Sequence, residues 1–160
     1  MRMDRQIEVT NVSETGNTLK TSGLWDQLFK APSLDEFFGR NESEVRLSPF
    51  FEYINTLCKE KGECPARVIA RSGIERSYGY QVFRGDRKPS RDTVLLLAFG
   101  FEADVALTQA LLKRAGFSVL YPRVRRDVVI AYSLRCGISL ADTQSALVEL
   151  GLPAIGAMPR

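Results

Sequence analysis

The sequence predicts an all-α protein, and three observations carry the prediction. Apolar residues recur at steps of three and four from residue 24 to residue 150, which is the repeat of one helix face. Ser, Asp or Pro opens most of these segments and Gly closes them, as helix ends require. No stretch alternates apolar and polar residues in the manner of a half-buried strand. Neither an internal repeat nor a low-complexity segment is evident.

Residues 1–23 are polar and without a sustained period, and read as a flexible arm. Leu24, Trp25, Leu28 and Phe29 form the stripe of a first short helix. Pro32 separates it from a second, opened by the capping box of Ser33 and Glu36 and continued by Phe37 and Phe38. Aromatic surface on such short helices has to bury against the core or a partner, and the core is the expected choice.

From residue 48 the helical signals become dense. Ser48 is placed as a cap and Pro49 at the first helical position. Phe50, Phe51, Ile54, Leu57 and Cys58 then recur at helical spacing until Gly62. Pro65 opens a second helix, with Val68 and Ile69 inward, ending at Gly73. A third runs from about Glu75 to Arg84 and stops at Gly85, before the turn Asp86-Arg87-Lys88-Pro89. Ser90 caps a fourth, with Val94, Leu95, Leu97 and Ala98, and a fifth covers about Asp104 to Ala115. Tyr121-Pro122 breaks the pattern. Two further helices follow, at about 124–136 and 140–150, divided by Gly137 and restarted by Ser139 with Asp142. Their apolar line is expected to run through Val128, Val129, Tyr132 and Leu134 into Leu140, Ala146 and Leu147.

The 160 residues are 44% apolar, enough for one buried core, and contain no histidine. That rules out Ser-His-Asp and Cys-His catalysis and any zinc site with imidazole ligands. Cys58, Cys64 and Cys136 show no CxxC spacing and read as reduced thiols rather than a disulfide framework. Cys58 is expected in the core, and none of the three has the paired base a nucleophile needs. The sequence therefore points to no enzyme, no cofactor and no metal. Met1 is followed by charged and polar residues, and no apolar run approaches the ~20 residues of a membrane span.

The charge is unevenly placed. The net value is +3, yet residues 63–91 alone hold seven basic side chains (Arg67, Arg71, Arg76, Arg84, Arg87, Lys88, Arg91) against three acidic ones, Glu63, Glu75 and Asp86. Such clustering suits phosphate binding as well as a solvated basic face.

Two helices joined at a glycine, the second short and polar on its outer side, suggest a helix-turn-helix. Here the sequence resembles the lambda-repressor-like (Cro/cI, Xre-type) DNA-binding family over about residues 48–116. The residues that carry the likeness are Lys61-Gly62, Ala66-Arg67-Val68, Arg71-Ser72-Gly73-Ile74, Arg76-Ser77-Tyr78, Gln81-Val82 and the run Arg84 to Ser90. The resemblance implies a five-helix domain at 48–120, with a recognition helix at 75–84 that enters the major groove. It would be flanked by an N-terminal arm with short helices at 1–47 and a C-terminal α-hairpin at 121–160. Spacing by four independently turns Ile74, Tyr78 and Val82 inward and Arg76, Ser77, Tyr80, Gln81 and Arg84 outward. By position, the family's base contacts fall on Glu75, Arg76, Ser77 and Gln81, with Tyr80 on the same face. Arg suits guanine, Gln suits adenine and Ser either. Glu75 either accepts from cytosine or favours the helix N-terminus, the second being expected. Arg84, Arg87, Lys88 and Arg91 are assigned to phosphates, or to a solvated turn.

Three departures from the family pattern stand out. Ile69 takes the place of a small residue and Gly79 that of a branched one, so two facing volumes are exchanged. Cys64-Pro65 replaces the usual capping Ser/Thr and phosphate-contacting Gln. Phe83 replaces an acidic residue and is expected to pack outside the minimal domain.

The functional expectation is a sequence-specific transcriptional regulator acting on double-stranded DNA as a homodimer. It would be cytoplasmic, of bacterial or phage type, and associated with the nucleoid. The alternative is an adaptor that binds a protein through residues 24–40 or 121–150. Residues 121–150 carry Asp142 and Glu149 on their second helix, which disfavours a second DNA-reading motif and favours packing on the domain or on a twin subunit. Arg123, Arg125 and Arg126 then meet DNA backbone or an acidic protein.

Overall fold

A computed structural model of the chain describes residues 21–156. The predicted arm therefore lies largely outside the described residues, which are all-helical. They divide at Ser48 into two compact units.

The first unit holds α1 (Thr21–Lys30) and α2 (Leu34–Asn41). Ser33 caps α2 as expected, its hydroxyl accepting from the Glu36 amide at 3.2 Å, and Arg40 pairs with Glu36 one turn on. Within this unit the aromatic surface is only partly covered. Phe37 alone is covered; Trp25 is 54% and Phe29 78% exposed, their rings stacked 5.5 Å apart.

The second unit contains α3 (Phe50–Lys61), α4 (Pro65–Ser72), α5 (Arg76–Arg84), α6 (Arg91–Gly100), α7 (Val105–Arg114), α8 (Arg125–Cys136) and α9 (Leu140–Glu149). Helix α3 starts one residue later than expected: Pro49 is its cap position, without a side-chain cap bond. The hydroxyl of Ser90 and the carboxylates of Glu75 and Asp104 do cap, each accepting from amides in the first turn. Ile54, Val68, Val82, Val94, Leu97 and Leu111 are essentially fully buried and belong to one core. Each such side chain contributes about 1.5–3 kcal/mol by leaving water. Phe83 lies in this core, 6.4 Å from the Phe101 ring, and so packs within the domain. It can do so because Phe101, just past α6, closes the same layer.

Two glycines set the closest helix approaches. A Cβ on Gly79 would stand 2.8 Å from both Cγ1 and Cγ2 of Ile69, so Ile69 of α4 fills the space that a side chain at position 79 of α5 would need. A Cβ on Gly100 would run into the Val68 carbonyl, so α4 crosses α6 at backbone contact.

The helix pairs α6–α7 and α8–α9 prove to be two copies of one unit, contrary to the reading that the chain has no internal repeat. At a shift of 35 residues (126 against 91), Arg91, Asp92, Val94, Ala106, Thr108, Gln109, Leu112 and Gly116 meet identical residues. The hydrogen bonds repeat with them. Gln109 donates to the Leu120 carbonyl and accepts from its amide; Gln144 does the same with Ile155. Thr108 and Thr143 each donate to the carbonyl of their own helix cap.

The copies are clasped reciprocally. Arg91 of the first grips Asp127 of the second at 3.0 and 3.2 Å, and Arg126 of the second grips Asp92 of the first at 2.8 and 3.0 Å. Arg91 also donates to the carbonyls of Ser118 and Val119, as Arg126 does to those of Pro153 and Ala154. The Tyr121 amide closes on Asp127 and the Gly156 amide on Asp92. Each contact has its mirror, the pattern of an isologous interface built inside one chain.

This clasp sets which side of α8 is inward. Asp127, Ile130, Ser133 and Leu134 are buried, while Val128 is 44% and Tyr132 63% exposed. The expected apolar line through Val128 and Tyr132 is thus on the outside, because the buried carboxylate claims the opposite face.

Candidate nucleic-acid interface

Helices α4 and α5 meet at Gly73, whose φ of 68° is the left-handed turn that ends α4. Glu75 then caps α5, its two carboxylate oxygens accepting from the amides of Ser77 at 2.9 Å and Tyr78 at 2.8 Å. The Ser77 and then the Tyr78 amide hold its carboxyl below the usual range, so it stays ionised at the positive end of the helix. Of its two expected roles, the helix-terminal one is occupied.

Beyond the cap, α5 shows one side to the core and one to solvent. Val82 and Gly79 are buried, Ile74 and Tyr78 half-buried. Tyr78 reaches Thr93 of α6 through its hydroxyl at 3.4 Å. On the other side Arg76, Ser77 and Arg84 are exposed, and Tyr80 and Gln81 half-buried. The Arg76 guanidinium lies 5.8 Å from the centre of the Tyr80 ring, a cation–π contact that holds it along the helix. The structure thus brings Arg76, Ser77, Tyr80 and Gln81 onto one accessible face.

The four residues assigned to phosphates do not share one fate. Arg87 and Lys88 are exposed in the turn after α5 and form no ion pair among the described residues. Arg84 is exposed but braced by Asp86 at 2.8 Å. Arg91 is only 23% exposed in its side chain and committed to Asp127 and two carbonyls. It serves the clasp between the repeats. Arg126 is likewise spent on Asp92, whereas Arg123 and Arg125 remain exposed.

Local pairing therefore narrows the basic excess. Glu63 takes Arg71 at 2.9 Å and Arg67 at 3.6 Å; the hydrogen bond from Arg71 above all keeps its carboxyl below the ordinary range. The four-residue step from Glu63 to Arg67 was available in the sequence as a pairing signal. Asp127, which neutralises Arg91, was not, being 36 residues away. What stays without an ion pair among the described residues is Arg76, Arg87 and Lys88, on α5 and the turn that follows it.

Cys64 precedes α4 without a side-chain cap bond, though the Arg67 amide and guanidinium hold its thiol below the usual value. Burial pushes the Cys58 thiol up to about 11, so it stays protonated inside the core. Among the described residues no group of acidic and thiol side chains has the arrangement of a metal site. No described helix is long and apolar enough to cross a membrane.

A scan against protein-family models finds no match for this chain, and neither the curated proteins nor the solved structures contain one.

Proposed function

We propose that this chain is a sequence-specific DNA-binding regulator of the lambda-repressor-like kind, α5 entering the major groove of double-stranded DNA. The observation that carries the reading is the face of α5. It presents Arg76, Ser77 and Gln81 beside the uncompensated Arg87 and Lys88, while the other charged groups of the motif are absorbed in internal pairs.

The roles divide by chemistry. Arg76 and Gln81 offer the bidentate donor and donor–acceptor groups that distinguish guanine and adenine edges. Arg87 and Lys88 neutralise phosphates and set register without reading sequence. Arg91 has no part in the interface, and Cys64-Pro65 offers no second anchor at the start of α4. Two copies on a twofold-related pair of half-sites would supply the contacts that one such module lacks.

Selection from a random duplex pool, followed by affinity measurement across a salt series, tests this. Arg76→Ala and Gln81→Ala are expected to relax preference at single positions, by about 1–3 kcal/mol of discrimination each. Arg87→Ala should weaken every duplex alike and reduce the salt slope by about one. Equal wild-type affinity for all duplexes would refute the reading.

A second reading rests on the exposed stack of Trp25 and Phe29: a protein-docking element on α1. Association through it would be nearly independent of salt, in contrast to DNA binding.

A further inference from the structure

In the first copy of the repeat, α6 carries the helix-turn-helix on one face. Thr93 meets Tyr78 of α5, Gly100 receives the backbone of α4, and Leu97 between them is fully buried. The equivalent residues of α8, 35 positions on, are Val128, Tyr132 and Arg135, and all three are exposed. The chemistry of the face has changed along with its cover. Ser90, the cap of α6, is matched by Arg125 and Gly100 by Arg135, so an arginine stands at each end of the stripe with Val128 and Tyr132 between. Beside the first turn of α8 lies a cleft of about 190 Å³, lined by Val128, Val129, Leu150 and Leu152 together with Arg123 and Arg125. Arg123, Arg125 and Arg135 are exposed and form no ion pair among the described residues. The single acid of α8, Asp127, is buried and held by Arg91.

We infer that this face of α8 binds an acidic amphipathic helix of another protein. The charge and the apolar wall together select that occupant. A nucleic-acid backbone would answer the arginines but offers no apolar surface to Val128, Leu150 and the cleft. A second copy of the same face would set guanidinium against guanidinium with no carboxylate between them, a like-charge juxtaposition that opposes docking. A helix with carboxylates flanking apolar residues satisfies both parts of the face, in the manner of a helix laid in a groove. The spacing sets its pattern. Arg125 and Arg135 are ten residues apart on α8, about 15 Å along its axis. The partner helix therefore carries Asp or Glu about ten positions apart, with apolar residues near the third and seventh positions to meet Val128 and Tyr132. A further apolar side chain enters the cleft, its neighbouring carboxylate against Arg123 and Arg125. None of these residues belongs to α5 or its turn, so the inference stands apart from the DNA-binding reading.

Selection from a displayed library of helical peptides, with the full-length protein as bait, tests the inference. Peptides with acids about ten positions apart around two apolar residues are expected to be enriched. Their affinity, read by fluorescence anisotropy, should fall at least tenfold with Tyr132→Ala, and again with Arg125→Glu and Arg135→Glu combined. These variants are at exposed positions and are checked for unchanged helicity. Lysine in place of the peptide's acids should abolish binding to the wild type and restore it to the charge-reversed protein. No enrichment, enrichment of peptides without acids, or binding that the α8 variants leave intact would overturn the inference. Loss of binding with Trp25→Ser instead would overturn it in favour of α1. A duplex affinity that falls with the two arginines would give the face to DNA. A dimer in sedimentation equilibrium that Tyr132→Asp dissolves would give it to a second copy.

Discussion

Replacing Ile69 and Gly79 by alanine, singly and together, probes the exchange of volumes between α4 and α5 directly. Ile69 is 2% exposed, so Ile69→Ala is expected to cost about 3 kcal/mol, transfer and residual cavity together. Gly79→Ala gains about 1 kcal/mol of helix propensity. Its new methyl, however, would sit 2.8 Å from Cγ1 and Cγ2 of Ile69. Cγ2 is bonded to Cβ and cannot swing away without a χ1 change that a helix disfavours, an overpacking cost of about 2 kcal/mol. The single glycine variant should therefore be about 1 kcal/mol less stable than wild type. In the double variant the obstruction is gone. The alanine keeps its helical gain and fills part of the space, recovering about 1.5 kcal/mol relative to Ile69→Ala. The singles sum to about 4 kcal/mol and the double loses about 1.5, a coupling of about 2.5 kcal/mol. Urea unfolding followed by far-UV circular dichroism reads these differences. Additivity within 0.5 kcal/mol, or an Ile69→Ala protein as stable as wild type, would refute the account.

Two further predictions concern the clasp. Asp127→Ala leaves Arg91 without its buried carboxylate and should cost about 3 kcal/mol in the same unfolding assay; Arg91→Ala should lower stability while leaving the salt slope of DNA binding at the wild-type value. The second concerns pH. Burial would raise the Asp92 carboxyl, but the Arg126 guanidinium and the Gly156 amide outweigh it and hold it below its ordinary value. A carboxyl depressed in the folded state contributes stability that is present above its unfolded value, about 3.9, and is lost as pH falls through the folded one. Thermal midpoints should therefore fall in the acid range below about pH 4, and Asp92→Asn should start lower at neutral pH and fall less there.

Helix positions were legible because the chain marks its helix ends chemically. Ser33, Ser90, Asp104 and Ser139 form caps that can be read from residue type alone, and Gly62, Gly73, Gly85 and Gly137 follow the helices they end. The outward face of α5 was legible for the same reason, since one helical period sorts its residues. Long-range charge pairing was not. Arg91 reads as a basic residue in a basic turn, and nothing in the sequence ties it to Asp127 until the fold brings them to 3.0 Å. The repeat is hard to see in the sequence because few positions keep their residue, while many apolar positions interchange Leu, Val, Ile, Phe and Ala. Counting apolar residues favoured Val128 and Tyr132 as core, but satisfying a buried carboxylate decided the matter.

The reciprocal clasp also changes what residues 153–156 mean for anyone trimming or fusing this chain. Segments that trail a helix are often dispensable, but here Ile155 is buried and the Gly156 amide reaches back 64 positions to Asp92. Pro153 and Ala154 supply carbonyls to Arg126. A boundary placed after α9 would cut through a structural latch. Any label or fusion partner belongs beyond residue 156.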